Sequence, residues 1–181
     1  MTDAASRCQP ESMTQTQTER SRTFSWTDPT EHAKLFAERS GLDVLRAMAA
    51  GDVPPPPIFQ LIGGNRLQVE PGSVTVTLDP QEFHYNPIGT VHGGIISTLL
   101  DTAAACSVQS TLPAGVGYTS MDLNVKFLRP VTVDTGLVTC TGAVLQQGRR
   151  TALAEARLTD PAGRLLAHAT STCLLFPLPT R

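Results

Sequence analysis

The segment that most constrains the fold is a long apolar stretch from about Gly93 to Thr111. Its apolar side chains recur at helical spacing and cover so wide a face that most of the helix has to be enclosed: Ile95, Ile96, Leu99, Leu100, Ala103, Ala104 and Val108. A helix of this length is roughly 30 Å long, about the diameter of a small domain. We therefore expect the rest of the domain to be built around it.

One carboxylate, that of Asp101, interrupts this apolar helix. An ionised carboxylate in apolar surroundings costs several kcal/mol unless neighbouring groups compensate it. Carboxylates that are kept in such places often take part in chemistry. The alternative interpretation of Asp101 is a carboxylate on the helix face that is hydrogen-bonded to a partner Ser or Thr.

The segments around the helix have strand and turn patterns. A hairpin is predicted from residues 66–70 and 73–78, joined by Pro71-Gly72. Four more strands are predicted, at residues 118–128, 136–146, 150–158 and 164–175. This order predicts an α+β fold, an antiparallel sheet of five or six strands wrapped around one long central helix. One helix covers only one sheet face, so we expect an oligomer to cover the outer face and the edges.

Three segments are predicted along the chain. Residues 1–23 are polar and rich in Ser, Thr and Gln, so we expect a disordered tail. Residues 24–57 form a helical N-terminal extension that is broken near Ser40-Gly41 and ends in a proline-rich linker. Residues 58–181 form the main domain.

Composition excludes several classes of function. The net charge of −2 favours binding to neither nucleic acid nor an anionic membrane, and no apolar run is long enough to span a bilayer. The N-terminus lacks the apolar core of a secretory signal, so we expect a cytoplasmic protein. The cysteines show no metal-ligand spacing, and we expect reduced thiols and no metal site: Cys8, Cys106, Cys140 and Cys173.

A spaced motif surrounds the start of the central helix. It reads Asn86-x-x-Gly89-x-x-His92-Gly93-Gly94, with Asp101 nine residues after the histidine, and is followed by SMDLNVKFLRP at 120–130. This pattern resembles the hotdog-fold acyl-CoA thioesterases, in particular the phenylacetate-pathway branch of the 4-hydroxybenzoyl-CoA thioesterase superfamily. The resemblance covers roughly residues 58–176. It implies a hotdog fold, hydrolysis of acyl-CoA without a further cofactor, and a homodimer as the minimal unit, with a homotetramer expected.

The resemblance also implies a role for each site residue. The carboxylate of Asp101 acts as nucleophile or as general base for water, and the backbone N–H of Gly93 polarises the thioester carbonyl. Asn86 places substrate or water, His92 orients the site, and the hydroxyl of Ser120 helps to hold the attacking water. Asn86, His92 and Gly93 come from one chain, and Asp101 and Ser120 come from its partner.

Elementary chemistry supports this arrangement independently. A helix N-terminus offers unpaired N–H donors, and such donors aimed at a developing oxyanion are typically worth about 3–4 kcal/mol. Glycine at this position leaves room for a substrate to approach the backbone. Asp101 lies on the order of 10–12 Å from Gly93 along the helix, which is long for one carbonyl to contact both in a single chain. The distance therefore favours a site composed across a dimer.

Further residues are candidates for substrate binding. Gly94, His84 and Tyr85 adjoin the motif, and three arginines at strand ends or turns are candidates for the coenzyme A phosphates: Arg129, Arg149 and Arg150. Structural interpretations stay open for all of these residues. His92 can simply cap the helix, Asn86-Pro87 can form a turn, and the arginines can be solvated.

Two other functions remain alternatives. A non-catalytic hotdog module would bind acyl-CoA without hydrolysing it, and it would have no need of Asp101. A hotdog hydratase would act on enoyl or hydroxyacyl thioesters through a His paired with an acidic residue, and no matching motif is present. Hydrolysis and hydration assays distinguish these functions.

Overall fold

The computed structural model describes residues 18–178. Its helices are α1 (Thr30–Glu38), α2 (Gly41–Ala50), α3 (Pro57–Ile62) and α4 (Gly93–Gln109). Its strands are β1 (Gly64–Glu70), β2 (Ser73–Leu78), β3 (Val116–Ser120), β4 (Asn124–Phe127), β5 (Val138–Gln147), β6 (Thr151–Thr159) and β7 (Leu165–Pro177). The predicted α+β architecture, an antiparallel sheet around one long helix, is confirmed.

The seven strands form one antiparallel sheet in the order β1-β2-β5-β6-β7-β3. Strand β4 also pairs with β7, on the edge of β7 that does not pair with β6. Strands β3 and β4 therefore follow one another along one edge of β7, and the sheet is six strands wide. The edges of the sheet are β1 on one side and the β3–β4 pair on the other.

The prediction of a single strand at residues 118–128 is wrong. The structure has two strands there, β3 and β4, which are separated at Asp122. The Asp122 carboxylate accepts a hydrogen bond from the Thr172 N–H at 3.0 Å, and its carbonyl oxygen accepts one from the Ser171 hydroxyl at 2.8 Å. The Asp122 side chain thus accepts a hydrogen bond that a backbone carbonyl oxygen normally accepts between paired strands. Alternation of side chains along the sequence does not reveal such a replacement.

Helix α4 lies directly against the concave face of the sheet. Its sheet-facing residues are almost completely buried, and they include Leu99, Leu100, Ala103, Ala104 and Val108. A Cβ added to Gly142 on β5 would lie 2.0 Å from the Ala103 carbonyl oxygen. Only glycine allows the helix and strand backbones to approach this closely.

The helices predicted in the N-terminal extension are present, and α2 packs against the end of α4. Ser40 caps α2 by accepting a hydrogen bond from the Asp43 N–H at 3.2 Å, and the Gly41 N–H donates to Leu112 at 3.0 Å. A Cβ on Gly41 would lie 1.9 Å from the carbonyl oxygen of Gln109. Close backbone packing therefore holds α2 against the central helix.

The outer face of the sheet is mainly polar, although Leu153 is exposed on it. Residues that alternate with the buried ones are mainly threonines and charged residues: Thr75, Thr141, Glu155, Arg157, His168, Thr170 and Thr172. His168 and Glu155 pair across β6 and β7 at 3.0 Å. Because this face can remain in water, the expectation of an oligomer depends on the sheet edges and on the site itself.

Two further predictions from the sequence concern the N-terminal tail and membrane-spanning helices. The predicted disordered tail, residues 1–23, falls mostly outside the described residues, and 18–23 have no helix or strand. None of the helices within residues 18–178 is both long and apolar enough to cross a membrane.

Candidate active site

The loop that leads into α4 is held on both sides. The Val91 N–H donates to Val131 at 2.8 Å, and the His92 N–H donates to His84 at 2.8 Å. The His92 ring then caps the helix, because its Nδ1 accepts a hydrogen bond from the Gly94 N–H at 2.9 Å. The sequence left two roles open for His92, helix capping and proton transfer. In the structure, its side chain caps the helix.

Gly93 presents a free donor at this helix end. Among the described residues, its N–H has no acceptor, whereas the N–H groups of Gly94 and Ile95 both donate to His92. A Cβ on Gly93 would lie 3.1 Å from the Phe127 ring, which is 54% exposed. The N–H thus sits beside an aromatic ring at the positive end of the helix dipole, where it suits a developing negative charge.

An open cleft of about 410 Å³ adjoins this helix end. It is lined by three of the predicted site residues, Asn86, Gly93 and Arg129, together with Ile96 and Phe127. Arg129 is exposed, and its guanidinium donates to the Leu165 carbonyl oxygen. The cleft therefore combines a cation, an aromatic ring and a free backbone donor.

The Asn86 side chain organises the loop of the cleft. Its Oδ1 accepts hydrogen bonds from the N–H groups of Ile88 at 3.1 Å and Thr90 at 3.3 Å, and its Nδ2 donates to the Thr90 hydroxyl at 3.0 Å. Gly89, at φ 79°, completes the turn. The amide is engaged with its own loop, so Asn86 shapes the cleft wall in this structure.

Asp101 and Ser120 meet at a second place. The Ser120 hydroxyl on β3 donates to Asp101 Oδ1 at 2.9 Å. Both residues are partly buried, and the other carboxylate oxygen has no partner among the described residues. A carboxylate with one oxygen fixed and one free is arranged to take a proton or to attack a carbonyl.

The surroundings of this carboxylate are largely apolar. Burial raises the pKa of the Tyr118 phenol well above its usual value, and the nearby Cys106, Cys173 and Asp101 add to the increase. Burial, with a contribution from Asp101, also raises the pKa of the Cys106 thiol to about 12. The Tyr118 phenol and the Cys106 thiol therefore stay protonated at neutral pH.

Helix α4 separates the two places. Gly93 and Asp101 are eight residues apart in one continuous helix, or about 12 Å at 1.5 Å per residue. A single thioester carbonyl cannot contact both groups in one chain. A site that uses the Gly93 N–H and the Asp101 carboxylate on the same carbonyl requires two protomers.

The two aromatic residues before the motif hold the loop. The buried His84 ring accepts a hydrogen bond from the Gln81 N–H at 2.9 Å through Nδ1, so its Nε2 donates to the Ile62 carbonyl oxygen at 2.8 Å. Burial lowers the pKa of His84, which favours this neutral ring. The Tyr85 hydroxyl accepts from the Val133 N–H at 2.8 Å. Both side chains are thus engaged with the protein backbone.

The three candidate arginines do not meet within one chain. Arg149 and Arg150 lie on the turn between β5 and β6, which reaches the far end of α4 through a hydrogen bond between Thr111 and Gln147. Arg129 lies at the near end, beside Gly93. The 17 residues of α4 separate the two places by roughly 25 Å.

Two residues beside the site were missed by sequence reasoning. Phe127 lies against Gly93, and Tyr118 lies on the same face of β3 as Ser120. Alternation from Ser120 along the strand would have identified Tyr118. Phe127 had no comparable signal, because its contact with Gly93 joins distant parts of the chain.

No cluster of His, Cys, Asp or Glu in residues 18–178 has the arrangement of a metal site.

Sequence comparison finds relatives over the part of the chain that carries this site. Residues 88–167 match the model of the thioesterase superfamily. Human acyl-coenzyme A thioesterase 13 is 34% identical over 103 residues, which are 56% of this chain and 72% of that protein.

Solved structures are similar as well. A phenylacetic acid degradation-related protein from Ralstonia eutropha JMP134 is 29% identical, with a TM-score of 0.65 over 72% of this chain and 98% of its own. A Streptococcus mutans UA159 protein, solved bound to acetyl-CoA, has the same fold at 24% identity, with a TM-score of 0.58 over 65% of this chain and 91% of its own. Each of these structures therefore leaves more than a quarter of this chain without a counterpart.

Proposed function

The chain belongs to the thioesterase superfamily, and we propose that it hydrolyses acyl-CoA thioesters to a free carboxylic acid and coenzyme A. The observation that carries the proposal is the Ser120–Asp101 hydrogen bond at 2.9 Å, which fixes the one carboxylate on α4. No further cofactor is required, because the coenzyme A is part of the substrate.

The thioester carbonyl binds beside the N-terminus of α4 of one protomer. Its oxygen accepts a hydrogen bond from the free N–H of Gly93, which stabilises the negative charge that develops there. Phe127 packs against the same glycine and limits the directions from which the substrate can approach. Arg129, in the same cleft, is placed to pair with a phosphate of coenzyme A.

Asp101 of the partner subunit provides the base or the nucleophile. As a base, it takes a proton from water while the water oxygen bonds to the carbonyl carbon; as a nucleophile, it bonds to that carbon itself and water then cleaves the acyl-enzyme. In both routes the carbon–sulfur bond breaks and the thiolate of coenzyme A takes up a proton. Ser120 of the partner subunit holds the carboxylate in position.

The dimer is a requirement of this mechanism. Because Gly93 and Asp101 lie about 12 Å apart along α4, each active site takes one group from each protomer. A homotetramer and a cytoplasmic location stay predictions. Sedimentation velocity on the purified protein measures the oligomeric state directly.

The deciding experiment measures free thiol released from a panel of acyl-CoAs by the wild type and by Asp101→Ala. The panel contains phenylacetyl-CoA, benzoyl-CoA and aliphatic chains of increasing length. We expect hydrolysis that falls by orders of magnitude in the variant while the oligomer stays intact. If no substrate turns over, or if activity is indifferent to Asp101, the mechanism is wrong and the non-catalytic binding module becomes the better explanation.

A further inference from the structure

A second cavity lies on the other side of α4, between the central helix and the N-terminal extension. Its volume is about 220 Å³. The walls come from α2, the proline-rich linker, α3 and β1, and the floor comes from Thr102 and Cys106 of α4. Nothing in the proposed reaction so far uses this cavity.

The extension supplies most of the apolar wall. Met48 and Ala49 come from α2, Pro55 and Pro56 from the linker, and Phe59 from α3. The polar lining residues Asn65 and Arg66 are exposed, so they form a rim that faces water. An apolar interior with a polar rim is typical of a site for a small apolar group.

The walls are held rigidly enough to define a shape. A Cβ on Gly64 would lie 2.4 Å from the Phe59 ring, so this ring lies directly on the backbone of β1. The contact of Gly41 with Gln109 fixes the start of α2 against α4. Leu45, on the face of α2 that lines the cavity, is 3% exposed.

The floor of the cavity lies next to the proposed catalytic carboxylate along α4, and Asp101 itself does not line the cavity. Thr102 follows Asp101 directly, and Cys106 lies about one helical turn further along. Asp101 is close enough to Cys106 to contribute to the raised pKa of its thiol. An acyl group whose carbonyl lies at Asp101 therefore has an apolar cavity beside it.

From this geometry, and resting on the proposed function, we propose that the cavity between α2 and α4 binds the acyl group of the substrate and that the N-terminal extension sets its size. A cavity of about 150 Å³ accommodates benzene. A volume of about 220 Å³ therefore holds one aromatic ring with a short linker, or an aliphatic chain of similar volume. The substrate class is a compact acyl-CoA rather than a long-chain one.

Filling the cavity tests the proposal. Ala49 lines it from an exposed position on α2, so Ala49→Phe adds a ring without disturbing the buried core. The values of kcat/KM are measured for acetyl-, hexanoyl-, phenylacetyl- and palmitoyl-CoA. We expect the hexanoyl and phenylacetyl values to fall about tenfold or more and the acetyl value to change less than about twofold, since one unaccommodated methylene already costs about tenfold.

A matched control lies one residue further along. Ala50 is also exposed on α2 and does not line the cavity, so Ala50→Phe leaves the whole profile as in the wild type. Met48→Ala enlarges the cavity and shifts the preference towards longer chains. An unchanged profile in Ala49→Phe, or the same change in Ala50→Phe, overturns the proposal.

A binding measurement separates this proposal from the proposed function. Hexyl-CoA, a thioether that cannot be hydrolysed, is titrated calorimetrically into the wild type, Ala49→Phe and Ala50→Phe. A loss of affinity of about tenfold or more in Ala49→Phe alone supports the cavity even if the protein hydrolyses nothing. Asp101-dependent hydrolysis combined with equal hexyl-CoA affinity in all three proteins rejects the cavity and keeps the thioesterase.

Discussion

The Ser120 hydroxyl lies 2.9 Å from Asp101 Oδ1 and joins the edge strand β3 to the middle of the central helix. This hydrogen bond fixes the orientation of the only charged side chain on α4. It also brings together two residues that are nineteen positions apart in the sequence. The catalytic proposal depends on this pair more than on any other contact.

Replacing Asp101 by Asn tests the carboxylate while keeping its shape. The amide can still accept a hydrogen bond from Ser120, so the fold is preserved, but it can neither take a proton nor attack a carbonyl. We expect kcat to fall by about 10²–10⁴-fold in the thiol-release assay. Asp134→Asn, at an exposed carboxylate outside the site, is the control and retains full activity. Equal activity in the two variants would contradict the assignment.

Ser120→Ala removes the donor and leaves the carboxylate unrestrained. A hydrogen bond to a charged group is worth about 1.5–3 kcal/mol, so we expect kcat to fall roughly tenfold or more. The neighbouring exposed Thr119 points to the other face of β3, and Thr119→Ala is the matched control. Steady-state kinetics on both variants tests the prediction, and similar values for both would show that Ser120 has only a structural role.

Gly93→Ala places a methyl group 3.1 Å from the Phe127 ring and beside the free N–H. We expect kcat/KM to fall at least tenfold, because the methyl group obstructs the approach of the carbonyl to the backbone donor. The double variant Gly93→Ala/Phe127→Ala distinguishes the two causes. If removal of the ring restores activity to the level of Phe127→Ala alone, the clash with Phe127 is the cause and the role of the N–H is not supported.

His92 is expected to act as a helix cap. His92→Ala loses the hydrogen bond from the Gly94 N–H and lowers the free energy of unfolding by about 0.5–2 kcal/mol in urea titrations. His92→Asn keeps an acceptor at the cap, so it retains most of this stability and changes kcat less than about fivefold. A loss of activity in His92→Asn as large as that of Asp101→Asn would instead indicate proton transfer by the imidazole.

His84 makes stability dependent on pH on the acid side. Burial lowers its pKa in the folded protein below the usual 6.5, so the unfolded chain binds a proton first as the pH falls. The free energy of unfolding is therefore fully retained above about pH 6.5 and decreases below it, until the lowered pKa of the folded state is passed. Urea titrations between pH 8 and pH 5 measure this decrease. His84→Gln should show a shallower dependence on pH, and identical slopes would contradict the prediction.

Much of the architecture could be predicted because its signals are local. The wide apolar face of residues 93–111, the hairpin at Pro71-Gly72 and the break at Ser40-Gly41 all act within a few residues, and the structure has each of them. The division of the strand at Asp122 could not be predicted, since it depends on hydrogen bonds to residues about fifty positions away.

The sequence by itself determined the central helix, the antiparallel sheet and the identity of the residues in the motif. Periodicity, turn residues and spacing are properties of neighbouring positions. Only the tertiary structure decided that Ser120 binds Asp101, that Phe127 covers Gly93 and that α2 closes a cavity over Thr102. These contacts join residues that are far apart in the chain, and their geometry depends on how the sheet curves around the helix.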